Sequence, residues 1–430
     1  MRILLTGANG FIGGQLLAGL RQRGHTVVAA VRDPRRLARK RPGIEAIPVD
    51  FNRDLSPDIW RPRLAGIDAV VNCAGVLQGG RGQDVVAIHA TAPIALFDAC
   101  HQAGIARVVQ ISAISADADT DYARTKKRAD DHLLALPLQG TVLRPSLVYG
   151  DGSYGGTSTL RGLAGLPWVT PLIGDDSAAF RPLHVDDLVE TVARVLEDDE
   201  RLAGGTLEPV GPERLTVGEI VARYRRWLGL GPAWQLHLPL PLMRIVAALA
   251  DLAGGGPMGS AGLRQLLAGN AGSEPDGTFA RAIGSVPETM DARLARRPAQ
   301  TQDLWHARLY FLRPLLRLVL AILWLGSAAA GVLARPQQYA DVDRAIASLG
   351  LDARPIALLF SAIDLLIGIA LLVRWRPRWI GAVQLTIVAG YTIGLSLLAP
   401  ALWLDPFGAV LKNLPALAAI AVWMVLEEER

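Results

Sequence analysis

The chain has 430 residues, a formal net charge of +4 and 51% hydrophobic residues, and its length predicts two or three domains. Its basic residues do not gather in a run with interleaved aromatic residues, which argues against a nucleic-acid partner. The two cysteines, Cys73 and Cys100, predict neither a disulfide framework nor a metal site. We expect no signal peptide, because the chain begins directly with a predicted strand.

A glycine-rich turn lies near the start of the chain, between an apolar strand pattern over 3–5 and an apolar-periodic helix pattern over 11–20. Gly7 allows the tight turn, Gly10 lets backbone N–H groups approach a pyrophosphate, and Gly13 lets helix and strand pack closely. The spacing therefore predicts a dinucleotide site with its phosphates at the positive end of the helix. The residues assigned to it are Gly7, Asn9, Gly10, Phe11, Ile12 and Gly13.

Strand and helix patterns alternate over residues 1–200. Further strands are predicted at 27–31, 44–49, 69–72, 107–111 and 141–143, with helices clearest at 84–103 and 122–136. This alternation predicts an α/β Rossmann fold with a doubly wound parallel sheet. Such sheets bind ligands at the carboxyl ends of their strands, so the residues that follow each strand are candidates for a site.

The residue that ends the second strand bears on the choice between NAD and NADP. An acidic residue there holds the ribose 2′-hydroxyl of NAD, whereas an arginine suits the 2′-phosphate of NADP. Arg32 stands at this position, and Asp33 follows it. We therefore favour NADP (NADPH) over NAD as the cofactor.

Two further segments are predicted to contact the cofactor. Asp50 and Phe51 follow the third strand and are expected to flank the adenine. Cys73, Ala74 and Gly75 follow the fourth strand and are expected to pass beneath the middle of the cofactor.

Tyr122 and Lys126 form the candidate catalytic pair, because residues four apart share one face of a helix. A phenol titrates near a pKa of about 10, and a neighbouring ammonium lowers that pKa. Tyr122 is therefore predicted to exchange a proton with a carbonyl or alcohol while the nicotinamide exchanges a hydride. Lys126 is also predicted to bond the nicotinamide ribose.

Residues 1–200 resemble the short-chain dehydrogenase/reductase superfamily in its extended or atypical branches. The matching stretches are 6–13, 72–75, the Tyr-x-x-x-Lys motif at 122–126, 143–150 and 181–187. The resemblance implies that Tyr122 is the acid/base and Lys126 its partner. It also implies that Pro145 and Ser146 lie near the nicotinamide, and that 184–187 form a family signature with a structural role.

The run after the fifth strand departs from the pattern of this superfamily. The usual position of its catalytic serine or threonine corresponds to Ala113, so Ser112 is our candidate replacement and Ser115 the alternative. His89 stands where asparagine is common, either as a satisfied polar residue or as part of a proton relay. Ala113 also makes the chain similar to the atypical branch that contains the nucleotide-binding accessory subunit of respiratory complex I, whose members hold NADPH without evident turnover.

Residues 201–312 are predicted to form a small α/β substrate lobe and a linker. Thr216 and Glu219 predict a capping box at the start of a helix over 217–228. An apolar-rich helix is predicted over 239–252, with core packing as the preferred role for its apolar face and a greasy pocket or a membrane surface as alternatives. Residues 293–300 are expected to be a polar linker.

Residues 313–430 are predicted to form an all-α four-helix transmembrane bundle, since a span needs roughly 20 apolar residues. The expected spans are 315–333, 355–373, 380–399 and 408–426. Three arginines in the loop 374–379 place that loop, and with four spans both termini, in the cytoplasm by the positive-inside rule. Asp364 lies within the second span and is a functional candidate, with Lys412 or Arg317 expected as its partner.

This last region resembles the DoxX-like family of four-helix membrane proteins. The resemblance rests on 323–327, 364–368, 406–408 and 412–415. It implies a membrane location and a link to quinones or redox chemistry, without a defined reaction.

The sequence thus predicts a membrane-anchored NAD(P)-dependent oxidoreductase of the short-chain type. We expect it in the cytoplasmic membrane, with its Rossmann domain in the cytoplasm and a lipophilic carbonyl or alcohol as substrate. One alternative is an NADPH-binding sensing or assembly protein without turnover. The other is a nucleotide-sugar epimerase or dehydratase, which would cause no net consumption of cofactor.

Overall fold

The computed structural model divides the chain into two compact units, Met1–Ala307 and Arg308–Arg430. Each unit has hydrophobic core clusters of its own. The described residues are 1–76, 82–114, 121–197, 202, 204–252, 259–273, 277–335, 337, 352–398, 400–406, 408 and 410–428.

Parallel strands form the centre of the N-terminal unit. Its described residues form β1 (Arg2–Thr6), β2 (Thr26–Val31), β3 (Ala46–Pro48), β4 (Ala69–Asn72), β5 (Arg107–Ile111), β6 (Gln139–Leu143), β7 (Val148–Tyr149), β8 (Val169–Ile173), β9 (Leu183–His184), β10 (Gly205–Leu207) and β11 (Trp234–Leu238). Seven of these pair in the order β10-β6-β5-β4-β1-β2-β3, and each pairing is parallel. The predicted doubly wound sheet is confirmed, and its strand order reverses at β1, where such sheets bind ligands.

Helices in the described part of this unit cover both faces of the sheet or belong to the second half of the unit. They are α1 (Phe11–Gln22), α2 (Pro34–Lys40), α3 (Pro57–Trp60), α4 (Ala92–Gln102), α5 (Asp121–Ala135), α6 (Gly156–Gly165), α7 (Val185–Leu196), α8 (Val217–Trp227), α9 (Leu240–Leu252), α10 (Ser260–Ala268), α11 (Thr278–Ile283) and α12 (Met290–Arg296). Successive residues of β1 point to opposite faces. Ile3 therefore shares a core cluster with Leu16 of α1, whereas Leu4 shares a second cluster with Phe97 of α4.

The second half of the N-terminal unit forms a smaller lobe around a third core cluster. Two short parallel sheets, β8 with β11 and β7 with β9, belong to this half. The predicted capping box is confirmed: the Thr216 hydroxyl accepts the Glu219 N–H at 3.3 Å, and the Glu219 carboxylate accepts the Thr216 N–H at 2.8 Å.

The expected linker over 293–300 is wrong in its first part, because α12 extends to Arg296. The Thr289 hydroxyl caps this helix by accepting the Ala292 N–H at 3.2 Å. Arg293 reaches Asp187 at 2.7 Å, so the basic residues of this stretch form ion pairs on a folded helix. Charge alone therefore gave a misleading indication of a solvated linker.

The C-terminal unit contains α13 (Thr301–Leu333, which begins in the N-terminal unit), α14 (Ala353–Leu372), α15 (Pro377–Leu398) and α16 (Asn413–Leu426). The first three are long and apolar enough to cross a membrane, and large apolar side chains are exposed on each. The unit therefore has the surface expected of a membrane domain.

The fourth expected span, 408–426, is wrong in its start, because α16 begins only at Asn413 and has 14 residues. Gly408 adopts a left-handed φ of 65°, and Lys412 is the residue that precedes the helix, with no side-chain hydrogen bond to its first turn. Pro415 lies in the first turn, where its missing N–H needs no partner. The described part of the fourth segment is thus a turn followed by a shorter apolar helix.

Asp364 is buried in α14, but its expected pairing with Lys412 or Arg317 is wrong. The Ser327 hydroxyl of α13 donates to Oδ2 of Asp364 at 2.6 Å. Arg317 lies 3.5 Å from Glu427 instead. The carboxylate is therefore held by a neutral hydroxyl within the helical bundle.

Candidate active site

The glycine-rich turn brings the end of β1 very close to the segment that follows β4. Gly7 adopts a left-handed φ of 67°, and a Cβ there would lie 2.5 Å from the carbonyl oxygen of Cys73. A Cβ at Gly13 would clash with the carbonyl oxygen of Gly7. Both positions therefore require glycine for close packing, as the spacing predicted.

The start of α1 has the features of an anion site. Gly10 is the N-cap residue and has no side chain that could bind the first-turn N–H groups. The first turn contains no acidic residue. Asn9 and Gly10 are exposed, while Phe11 and Ile12 are half-buried. The backbone N–H groups of this turn and the positive helix end fit the pyrophosphate of a dinucleotide.

Buried polar side chains join the ends of three adjacent strands beneath this turn. The Thr6 hydroxyl donates to the side-chain oxygen of Asn72, and the Asn72 amide donates to Gln110 at 2.6 Å. Thr6 also accepts the Cys73 N–H at 3.1 Å. This network fixes the spacing of β1, β4 and β5 at the end of the sheet where the site lies.

The predicted adenine-side residues lie on separate local structures. Arg32 is exposed at the end of β2, and the carboxylate of Asp33 accepts the Arg36 N–H at 2.9 Å to cap α2. The Asp50 carboxylate accepts the Asn52 N–H at 3.0 Å within its own turn. Phe51 follows it and is a buried residue.

The ring of Phe51 packs edge-on against Trp60, with the ring centroids 5.6 Å apart. Both side chains belong to the core cluster beneath this face of the sheet. The contact of Phe51 with adenine stays a prediction.

Lys126 lies on α5 with its amine buried at the strand ends. Its Nζ donates to the carbonyl oxygen of Ile111 at 3.1 Å and to that of Ala74 at 3.4 Å. A Cβ at Gly75 would lie 3.2 Å from this amine, so glycine leaves the space that the amine occupies. Burial lowers the pKa of Lys126.

The expected lowering of the Tyr122 pKa is wrong. Desolvation within the site, together with the charge of Asp130, raises the pKa of Tyr122 to about 12. The Lys126 amine donates to the carbonyl oxygens of Ile111 and Ala74. The phenol is therefore protonated at neutral pH.

His89 lies beside this pair on a π-helical turn, Ala87–Thr91, that leads into α4. Its Nε2 accepts the Val76 N–H at 2.9 Å, and its Nδ1 lies 3.2 Å from the Thr125 hydroxyl. Burial and the charge of Lys126 lower the pKa of His89 to about 3, so the ring is neutral. These contacts correspond to the satisfied polar residue that the sequence offered as one alternative.

The His89 ring also packs edge-on against Tyr122, with centroids 5.1 Å apart. Single-turn π-helical segments recur at functional sites because they redirect a side chain. Here the turn places the imidazole against the candidate acid/base.

Asp130 is the site residue that sequence reasoning missed. It is fully buried and lies one helical turn beyond Lys126 on α5. The Ser112 hydroxyl donates to its Oδ2 at 2.7 Å, and the Nε of Arg144 donates to the same oxygen at 3.1 Å. The spacing of four between Tyr122, Lys126 and Asp130 was the available signal, because it puts all three on one helix face.

Asp130 thus commits the hydroxyl of Ser112, our candidate replacement for the missing catalytic serine, to a buried carboxylate. Ala113 is half-buried and supplies no hydroxyl. Ser115 lies outside the described residues.

Pro145 and Ser146 follow β6, and the structure links Ser146 to the smaller lobe. The Ser146 hydroxyl donates to the carbonyl oxygen of Asn270 and accepts the Arg181 N–H at 3.2 Å. The lobe therefore closes against the same end of the sheet, which sequence patterns did not indicate.

The signature over 184–187 forms the start of α7. The His184 side chain caps this helix by accepting the Asp186 N–H at 3.3 Å. Asp187 pairs with Arg293 of α12. The first contact lies at the start of α7, and the second joins α7 to α12. Neither contact involves Tyr122 or Lys126.

Comparison with known proteins follows the division of the chain. A model of the NAD(P)H-binding family matches residues 7–163, and a model of the DoxX-like family matches residues 321–421. The 3-diazoavenalumate denitrifying reductase of Streptomyces sp is 30% identical over 263 residues, which are 54% of this chain and 83% of that reductase. The chain belongs to the NAD(P)-dependent short-chain dehydrogenase/reductase superfamily.

Within this superfamily the chain is similar to proteins of different roles. The mitochondrial NADH dehydrogenase [ubiquinone] 1 alpha subcomplex subunit 9 of Arabidopsis thaliana is 28% identical over 256 residues, 57% of this chain. The match spans 62% of that subunit, less than two thirds of its length. Ceramide reductase of Caulobacter vibrioides is 27% identical over 255 residues, 58% of this chain and 77% of that reductase.

Among solved structures, MoeE5 in complex with UDP-glucose and NAD superposes with a TM-score of 0.52 at 22% identity, covering 72% of this chain and 99% of MoeE5. At this identity the likeness shows the fold alone. The N-terminal unit is therefore an NAD(P)-binding Rossmann domain, and the C-terminal unit is a DoxX-like domain with apolar helices suited to a membrane.

Replacing Gly10 by alanine tests the anion site at α1. The added Cβ would lie 3.2 Å from the Gly7 carbonyl oxygen and would cover the approach to the first-turn N–H groups. We expect NADPH affinity to fall by about tenfold, as is typical for a lost charge-assisted contact, in a fluorescence titration of the full chain in nanodiscs. Gly152→Ala, where a Cβ meets open space, is the matched control; unchanged affinity in Gly10→Ala would place the phosphates elsewhere.

Replacing Asp130 by asparagine tests its electrostatic effect on Tyr122. Since the charge of Asp130 raises the pKa of Tyr122, Asp130→Asn is expected to move that pKa downward. Ultraviolet difference titration, with the Tyr122→Phe spectrum subtracted, measures the shift. Asp131→Asn, which removes a charge paired with Lys127 at the surface, should leave it unchanged, and equal shifts in both variants would contradict the assignment.

Proposed function

We propose that the chain is a membrane-anchored NADPH-dependent reductase that acts on a lipophilic carbonyl compound. The observation that carries this proposal is the position of the buried Lys126 amine, which binds the carbonyl oxygens of Ile111 and Ala74 at the strand ends beside the glycine-rich turn. Tyr122 lies one helical turn earlier on α5, with its ring against His89. In a doubly wound sheet these strand ends form the edge at which the cofactor and substrate meet.

NADPH supplies the hydride when it is bound. Tyr122 donates a proton to the carbonyl oxygen as the carbonyl carbon receives the hydride, which gives an alcohol and leaves the oxidised cofactor. The raised pKa of Tyr122 suits this direction, because the phenol carries its proton at neutral pH. Lys126 orients the nicotinamide ribose and stabilises the phenolate that remains.

The preference for NADP rests on Arg32. The Asp33 carboxylate is occupied by the N–H of Arg36, so it is committed to capping α2. The exposed guanidinium of Arg32 is placed at the end of β2, where a 2′-phosphate is bound in this fold.

A lipophilic substrate explains the fusion of a reductase to membrane helices, because the bilayer concentrates such molecules next to the enzyme. The similarity to ceramide reductase supports a substrate of this class. Arg374 and Arg376 between α14 and α15, with Arg378 in the first turn of α15, favour a cytoplasmic location for that connection. Our proposal takes α16 as the fourth crossing, which places both termini and the Rossmann domain in the cytoplasm.

A second candidate is an NADPH-binding protein without turnover, with a sensing or assembly role. Ala113 removes the usual hydroxyl, and the Ser112 hydroxyl is held by Asp130. The similarity to the complex I subunit of Arabidopsis thaliana supports this candidate. The two candidates bind the same cofactor and differ in whether it is consumed.

Tyr122→Phe separates these candidates. In the reductase, loss of the proton donor should lower kcat by about a hundredfold or more while NADPH binding is retained. The assay follows NADPH oxidation and product mass with a panel of long-chain aldehydes and ketones in nanodiscs, and Tyr310→Phe in the C-terminal unit is the control. Equal turnover in Tyr122→Phe and the parent chain would contradict the catalytic role of Tyr122. Tight NADPH binding without reduction of any substrate would favour the second candidate.

Arg32→Ala tests the cofactor preference. We expect the affinity for NADPH to fall by about tenfold and that for NADH to stay unchanged, since only NADPH carries the 2′-phosphate. Arg39→Ala, also exposed and near the end of α2, is the control. A similar loss for both cofactors in Arg32→Ala would remove the basis for preferring NADP.

A further inference from the structure

One face of the sheet formed by β8 and β11 is entirely apolar. The parallel register pairs Trp234 with Val169 and Leu236 with Pro171, and paired residues of a parallel sheet share a face. The side chains of this face are Val169, Pro171, Ile173, Trp234, Leu236 and Leu238. Trp234 is 84% exposed and Leu236 is 51% exposed, so this face is open at β11.

Trp168 extends the exposed apolar area. Its carbonyl oxygen accepts the Trp234 N–H at 2.7 Å. This hydrogen bond makes the backbones of the two residues neighbours where β8 and β11 begin. Trp168 has a left-handed φ of 60°, a conformation that a bulky residue rarely adopts. Its side chain is 82% exposed, so burial of the indole does not offset this strain.

Helix α9 begins two residues after β11 and carries an exposed apolar face of its own. Leu242, Ile245 and Leu249 are spaced by three and four residues and therefore share one side of the helix. They are 47%, 60% and 62% exposed. The sequence favoured core packing for the apolar side chains of this helix, but these three are exposed on the N-terminal unit.

We propose that this β11–α9 surface rests on the lipid bilayer that holds the C-terminal unit. The surface consists of Trp168, Trp234, Leu236, Leu242, Ile245 and Leu249. The proposal is independent of turnover at the Tyr122 site.

The same chain supplies the reason to choose a bilayer as the occupant. Helices α13, α14 and α15 are long and apolar enough to cross a membrane, so the N-terminal unit is tethered close to lipid. Tethering makes the local lipid concentration high, and a surface of modest intrinsic affinity then binds.

Residue types also fit an interface. Indole rings concentrate at the boundary between lipid headgroups and water, and Trp168 and Trp234 each present an exposed indole. A helix that presents leucine and isoleucine on one side can lie in the plane of the same boundary. Contact with lipid would thus cover the exposed side chains of both β11 and α9.

The test uses the full chain in nanodiscs of phosphatidylcholine and phosphatidylglycerol that hold one chain each. An environment-sensitive NBD fluorophore is attached at Leu236→Cys or Ile245→Cys, and quenching by phosphatidylcholine that carries a nitroxide on its acyl chain is measured. Gln235→Cys, on the opposite face of β11, and Arg39→Cys, on α2, are the matched controls. The parent chain, with Cys73 and Cys100, gives the background, and NADPH titration checks that each variant is folded.

We expect lipid quenching at Leu236→Cys and Ile245→Cys to exceed that at both controls by about twofold or more, as for side chains that enter the interface. Equal quenching at the four positions would overturn the proposal. Emission shifted to the blue at residue 236 without lipid quenching would also overturn it, because protein rather than lipid would then cover the face.

Discussion

The site depends on one buried polar group, the amine of Lys126. The amine is almost fully removed from water and is held by the carbonyl oxygens of Ile111 and Ala74, at the ends of neighbouring strands. Burial of an ammonium is costly unless hydrogen bonds and an opposite charge accompany it. Asp130 supplies that charge and favours the protonated amine.

The rest of the site follows from this arrangement. The carboxylate that accompanies Lys126 also binds the Ser112 hydroxyl and Arg144, which ties α5 to the ends of β5 and β6. Its negative charge adds to the desolvation that keeps Tyr122 protonated. The imidazole of His89 stays neutral beside the same amine. Tyr122, the candidate acid/base, and the buried amine of Lys126 thus share one helix face while the phenol keeps its proton.

Local sequence patterns predicted the turn and the helix face that form the candidate site. The pKa values of its side chains depend on contacts that exist only in the folded protein. The turn at Gly7 and the i,i+4 pair of Tyr122 and Lys126 are set by neighbouring residues, so the sequence indicated both. The predicted direction of the Tyr122 pKa shift was wrong because desolvation in the folded site raises this pKa, and the charge of Asp130 raises it further. The start of α16 was also wrong, since hydropathy does not report that a glycine turn and Lys412 interrupt the fourth apolar segment.

The proposed reductase activity depends on hydride transfer from the cofactor to a lipid-soluble carbonyl at the Tyr122 site. The most direct measurement supplies NADPH deuterated at both C4 positions to membranes that contain the full chain, followed by mass spectrometry of the extracted lipids. We expect a lipid-soluble alcohol that gains one deuterium with the parent chain and none with Tyr122→Phe. Deuterium that stays on the cofactor, although the cofactor is bound, would contradict hydride transfer at this site.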